Sequence, residues 1–336
     1  MTDEMTDEMT DEMTDEQTSD PADSCDSACS TCGESCASRT APMDMRAPTN
    51  LQTTIKHAIA VVSGKGGVGK SLVTSLIATD LNKRGFSVGI LDADITGPSI
   101  PKIFGIEERL RVNVHGILPS VTESGIQIVS TNLILPESTA PVIWRGGIIS
   151  SMVKQFYSEV VWGDIDYLLI DMPPGTGDVP LTVYQSLDVD GVIVVTAPQD
   201  LVSMIVGKAI NMAQTMDVPV LGIVENMSYF ECPDCGKRHD IFGESAIASI
   251  AEMYSIGLAA QIPLFSDFAH LMDEGKAEEI RISALDTFVS DLIEVIDVQA
   301  ALAAEAAEAA EEAEAADAAE GPAESEAPET PEEATS

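Results

Sequence analysis

The sequence predicts a doubly wound α/β domain, a mostly parallel β-sheet with helices on both faces. Three observations lead there. Short runs of Val, Ile and Leu recur without polar alternation, as strands covered on both faces require. Segments of helical length lie between those runs, the alternation that parallel sheets need for their crossover connections. A glycine-rich stretch separates the first apolar run from the first helical segment, where a strand-to-helix turn belongs.

The elements follow in chain order. Residues 57–62 read as a buried strand, and residues 72–81 as a helix that begins near Lys70. Further strands are expected over 86–92, 126–129, 166–171, 192–196 and 218–225, which are rich in Val, Ile and Leu. Helices are expected over 148–158, 181–187, 202–216 and 243–253, and a last one over 282–298 closes the domain. In such a sheet the ligand sits at the carboxyl ends of the strands.

Composition divides the chain into three parts. Residues 1–50 carry a fourfold Met-Thr-Asp-Glu repeat, and residues 301–336 are almost entirely Ala, Glu, Pro, Ser and Thr. Neither end holds enough apolar surface to offset chain entropy, so both read as acidic tails, with a frayed helix over 301–320. Residues 51–300 are long enough for one well-buried domain. The net charge is −39, from 17 Lys+Arg and 56 Asp+Glu. The N-terminal tail holds 13 acids and 2 bases and the C-terminal tail 12 acids and no base, which leaves the core itself at −16. Nucleic-acid or anionic-membrane binding needs a basic surface and is not expected. The acidic surface points to a high-salt cytoplasm that screens self-repulsion. The N-terminus is acidic without an apolar segment, and no apolar run reaches membrane-span length. A cytoplasmic chain is therefore expected, with its six cysteines better read as metal ligands than as disulfides.

The glycine-rich stretch is Gly64-Lys65-Gly66-Gly67-Val68-Gly69-Lys70-Ser71. It has the residues of a phosphate-binding P-loop. Glycines let backbone N–H groups turn toward a polyphosphate, and the helix that follows points its positive end at the anion. Lys70 is expected on the β- and γ-phosphates, and the Ser71 hydroxyl on Mg²⁺. Two carboxylates follow expected strands. Asp92-Ala93-Asp94 closes 86–92, and Asp171 closes 166–171 ahead of Met172-Pro173-Pro174-Gly175-Thr176-Gly177-Asp178. Such acids can orient a water or support a metal shell. Asn226, after 218–225, can both donate to and accept from an adenine edge.

Cys232-Pro233-Asp234-Cys235 lies in the next loop, with His239 near. Two thiolates at this spacing are half of a four-ligand site. A zinc knuckle, a redox dithiol, or a cluster shared by two subunits across a two-fold axis all fit the spacing. In the N-terminal tail Cys25, Cys29, Cys32 and Cys36 can wrap one cluster or a zinc, or be unliganded thiols. His57, His115 and His270 show no ligand spacing.

With a second lysine at Lys65, the loop resembles the deviant Walker A group: nitrogenase iron protein, ParA and MinD ATPases, arsenite-pump ATPases and Mrp-type iron–sulfur carriers. The Asp171–Asp178 run and Asn226-Met227-Ser228 ahead of Cys232-Pro233-x-Cys235 are similar to the Mrp-type family in particular, over about residues 55–290. That resemblance implies a homodimer in which Lys65 reaches the partner's nucleotide, Asp94 assists hydrolysis, Asp171 supports Mg²⁺ and Asn226 reads the base. It also implies that Cys232 and Cys235 of each chain hold a [4Fe–4S] cluster, which passes to apoproteins under slow ATP hydrolysis. A ParA/MinD-like positioning ATPase and a nitrogenase-iron-protein-like reductase are the alternatives. The acidic C-terminus and the absence of a basic patch oppose the first.

Overall fold

The computed structural model describes residues 46–95, 97, 99–134, 146–198 and 202–319. Its centre is strand β1 (Thr53–Val62), whose last five residues are fully covered. The strand begins earlier than the apolar run because Thr53–Ile55 pair with Gly163–Ile165; this outer half alternates in burial and carries no continuous apolar signal. Helix α1 (Lys70–Lys83) and strand β2 (Val88–Asp92) follow. A short helix α2 (Ile100–Ile103), the hairpin β3 (Arg111–Asn113) and β4 (Gly116–Leu118), β5 (Ser120–Val121) and β6 (Gln127–Ser130) come next. Then helices and strands alternate: α3 (Gly146–Glu159), β7 (Gly163–Asp171), α4 (Asp178–Ser186), β8 (Gly191–Thr196), α5 (Val202–Thr215) and β9 (Val220–Glu225). The small hairpin β10 (Phe230–Glu231) and β11 (Arg238–His239), α6 (Ile247–Met253), β12 (Ala259–Gln261), α7 (Ser266–Asp273) and α8 (Ser283–Ala319) complete the described chain.

Eight strands form one sheet in the order β12-β9-β8-β1-β7-β2-β6-β5. Only the β5–β6 edge pair in it is antiparallel. The expected doubly wound, mostly parallel sheet is therefore observed. Its two faces explain the missing alternation in β1. Ile59 and Val61 join one core with Val73, Leu76 and Ile77 of α1 and Leu285, Phe288 and Leu292 of α8. Ala58, Ala60 and Val62 join the other with Val153 and Phe156 of α3, Val183 of α4 and Ile210 of α5. Packing is close enough on the first face that a Cβ on Gly222 would stand 2.7 Å from the Phe288 ring; a glycine in mid-strand marks such an approach.

Several boundaries differ from the sequence expectation. Helix α6 starts at Ile247 rather than 243, because Gly243 takes φ 104° and breaks the run. The last helix does not stop at 298 but continues to Ala319. Its first turns are held against the sheet, so the costly nucleus already exists and Ala and Glu propagate it. Val298 and Leu302 on this extension are exposed. The hairpin β3–β4, β12 and α7 are too short to leave a periodic signal.

Candidate nucleotide site and cysteine hairpin

The sheet order sets β1, β7 and β2 side by side, so the P-loop, Asp171 and Asp92 converge at three adjacent strand ends. Gly67 and Gly69 adopt φ 81° and 82°, a left-handed conformation open to glycine at little cost. Gly69 is constrained twice: a Cβ there would also stand 2.1 Å from Asn226 Nδ2. Val68 is buried, whereas Lys65, Gly66 and Gly67 form the exposed lip of the loop.

Beneath that lip Lys70, only 6% exposed, sets its Nζ 2.6 Å from Oδ1 of the fully buried Asp171. The Ser71 hydroxyl donates to Asp171 Oδ2 at 2.6 Å, and the Thr74 hydroxyl to Asp171 Oδ1 at 2.9 Å. A buried carboxylate is tolerated here because a cation and two hydroxyls satisfy it. The Asp92 carboxyl, also fully buried, accepts the Asp94 N–H at 3.2 Å and the Ser130 hydroxyl at 3.1 Å. Burial, and then the charge of nearby Asp171, push it well above its ordinary value. This fits a structural carboxyl better than a catalytic base, as its place in the Asp92-Ala93-Asp94 turn suggests.

A pocket of about 270 Å³ opens over the loop, walled by Ser63, Lys70, Ser71, Asp94, Pro174 and Met272. A larger groove of about 740 Å³, between residues 104–111, 118–123 and 274–279, contains none of the motif residues; exposed charged side chains line it beside apolar ones such as Phe104, Ile106 and Leu118. Two observations fit the smaller pocket to a nucleotide and its metal. The buried Ser63 hydroxyl has no hydrogen-bond partner, though its residue lines the pocket. Ser71 Oγ and the Asp171 carboxylate form an all-oxygen donor pair suited to a hard cation such as Mg²⁺.

Asn226 is buried at the end of β9, but its amide faces the loop. Nδ2 donates to the Val68 carbonyl at 3.0 Å, and Oδ1 accepts the Met227 N–H at 2.9 Å. The side chain expected at a base edge also braces the P-loop. The loop after β7 is tied in as well, with the Gly175 N–H donating to the Ser63 carbonyl at 2.8 Å. Sequence reasoning missed Ser63, Thr74 and Ser130. Thr74 left one signal: a hydroxyl among apolar residues, one turn past Lys70-Ser71.

Cys232 and Cys235 cap the β10–β11 hairpin. The Cys232 N–H donates to the Lys237 carbonyl at 3.0 Å, and the Gly236 N–H to the Cys232 carbonyl at 2.8 Å. The Arg238 guanidinium lies 4.1 Å from the centroid of the Tyr229 ring and braces the hairpin's base. Neither cysteine is in a disulfide; Cys235 is exposed and Cys232 half-buried. Backbone N–H groups of Asp234 and Cys235, then the Cys235 thiol, lower the Cys232 pKa by stabilising its thiolate. A stabilised anion persists to lower pH. Peptide-mapped iodoacetamide labelling of Cys232 should therefore have its midpoint at lower pH in the folded protein than in the urea-unfolded chain. Equal midpoints would mean that the N–H groups do not cradle this sulfur in solution.

Among the described residues no three His, Cys, Asp or Glu side chains gather to hold a metal. His239 therefore does not complete a three-ligand zinc set with the two thiols inside one chain. His115 and His270 face Gln52 and Glu274 instead, and His57 lies 3.9 Å from Asp190. Cys25, Cys29, Cys32 and Cys36 lie outside the described residues.

A parallel sheet with a glycine loop and a buried Lys–Asp pair at adjacent strand ends defines a P-loop NTPase. The family described as ParA: NUBPL iron-transfer P-loop NTPase matches residues 54–296, and the chain belongs to it. The chain is similar to the iron-sulfur cluster carrier protein of Clostridium perfringens, 44% identical over 254 residues that cover 72% of this chain and 89% of that one. It is likewise similar to the protein of that name from Methanocaldococcus jannaschii, 46% identical over 237 residues, 70% of this chain and 81% of that one. Among solved structures it is similar to a nucleotide-binding protein from Archaeoglobus fulgidus in complex with ADP. That likeness has 46% identity and a TM-score of 0.64, and covers 70% and 92% of the two chains. The MinC:MinD cell division complex of Aquifex aeolicus, at 20% identity and a TM-score of 0.52 over 71% and 96% of the chains, shares the fold. No helix among the described residues is long and apolar enough to cross a membrane.

Proposed function

We propose that the chain is an ATP-dependent iron–sulfur cluster carrier that works as a homodimer in the cytoplasm. The observation that carries this reading is the hairpin: it presents two thiols where a [4Fe–4S] cargo needs four ligands. Two copies related by a two-fold axis supply Cys232 and Cys235 twice over.

At the nucleotide site the glycines receive the polyphosphate, and Lys70 exchanges the Asp171 carboxylate for the β- and γ-phosphates. Ser71 and Asp171 would hold Mg²⁺, which neutralises phosphate charge when bound. Asp94, half-exposed on the pocket wall, orients the attacking water. The water oxygen bonds to the γ-phosphorus as the bond to the β–γ bridging oxygen breaks, leaving ADP and phosphate. Lys65 on the exposed lip reaches the nucleotide of the partner subunit, while Asn226 holds the loop and reads the base. Loss of the γ-phosphate is read by the loops that carry Asp94 and Gly175, and the cluster is released to an apoprotein. The tail cysteines are assigned no part in this transfer.

Anaerobic reconstitution with iron and sulfide tests the reading. One [4Fe–4S] cluster per two chains is expected, in a species of dimer mass, followed by transfer to an apo-acceptor when the two are mixed. A monomer that retains zinc at the hairpin and takes up no iron there would refute it.

A further inference from the structure

Nucleotide binding draws Lys70 from Asp171 to the phosphates, and the cation shares the Ser71 oxygen with Asp171. A carboxylate that loses its cation partner and shares one hydroxyl partner with a metal inside the protein needs another group to keep its orientation. Thr74 is the remaining side chain that donates to it, at 2.9 Å from Oδ1. Resting on the nucleotide reading, we infer that Thr74 is the positioning residue that keeps Asp171 aimed at the metal side of the pocket when nucleotide is bound.

The geometry separates this role from an ordinary helix contact. Hydroxyls on helices commonly donate back to the carbonyl four residues earlier. Ser75 does so to Ser71 at 2.8 Å. Thr74 also lies 3.1 Å from the Lys70 carbonyl, but its oxygen is nearer to the Asp171 carboxylate. A carboxylate is a stronger acceptor for its single proton than a backbone carbonyl. Thr74 is fully buried on a rigid helix, and its β-branched side chain is stiff at χ1. It stands one turn beyond Ser71, so Ser71 and Thr74 address the two carboxylate oxygens from one helix face.

The test measures Mg²⁺ dependence of binding. A fluorescent ATP analogue is titrated against full-length protein at a series of Mg²⁺ concentrations, and again in EDTA. Thr74→Val keeps shape and loses the hydroxyl. It should weaken apparent Mg²⁺ affinity by about tenfold or more, the usual effect of removing a group that orients a metal ligand, and leave binding in EDTA unchanged. Thr74→Ser should restore the wild-type Mg²⁺ dependence, which a role in packing alone would not. If Thr74→Val does not fold, Thr74→Ala is read in the same way. Unchanged Mg²⁺ affinity in the folded Val or Ala protein overturns the inference, as does an equal loss in EDTA. Wild type that binds the analogue without any Mg²⁺ dependence overturns the nucleotide reading itself, so the two failures are distinguishable.

Discussion

Asp171→Ala is expected to lower stability and to abolish ATP hydrolysis. Lys70 is 6% exposed, and its Nζ has the Asp171 carboxylate at 2.6 Å. Removing that carboxylate leaves a cation buried without compensation, a loss of about 3–5 kcal/mol. The Ser71 and Thr74 hydroxyls lose an acceptor in the same step. For a domain of this size each kcal/mol moves the melting midpoint by about 2–4 °C, so a drop on the order of 10 °C should appear in thermal unfolding without nucleotide. Removing both partners is milder than removing one. Lys70→Met in the Asp171→Ala background should therefore recover much of the lost midpoint while hydrolysis stays absent. A single variant that melts with wild type would show that the pair does not carry the charge balance of this site.

Cys232→Ala with Cys235→Ala is expected to have the opposite profile. The hairpin's only regular pairing is the two-residue ladder of Phe230–Glu231 with Arg238–His239, and neither thiol is in the core. Substitutions of this kind move stability by about 0.5 kcal/mol or less, so the melting midpoint and Mg²⁺-ATP binding should both persist. Iron uptake should fall by one whole cluster per two chains, read by iron and sulfide analysis and by visible absorbance, and transfer to an apo-acceptor should cease. Retention of the full cluster by this variant would move the cargo site elsewhere in the chain.

Much of this site was legible in the sequence because its parts are linear. The P-loop glycines, Lys70 and Ser71 are contiguous, and Asp92 and Asp171 each follow an apolar run that became a strand, β2 and β7. Neighbouring strands then did what no motif records: they set the two carboxyls side by side. Thr74 escaped because its role depends on which way α1 is turned toward β7. The Asn226 amide was legible as a residue but not as a contact, since its partner, the Val68 carbonyl, is 158 positions away in sequence. The short elements β12 and α7 escaped for want of length, and the helix expected over 301–320 was legible as propensity but not as one continuous α8 running to Ala319. The proposed pairing of thiols across two subunits would belong to an assembly, of which one chain's sequence carries only each half.

The bracing of Val68 by Asn226 has a mechanical consequence. The same stretch of backbone that grips the nucleotide loop runs on to Cys232 within six residues. That stretch is not slack: Ser228 N–H is fastened to the Ile262 carbonyl at 2.8 Å, and Leu264 N–H to the Tyr229 carbonyl at 2.7 Å. A short, hydrogen-bonded run of peptide units joins the P-loop to the cysteine hairpin, a route along which a tilt at one is expected at the other without crossing the sheet.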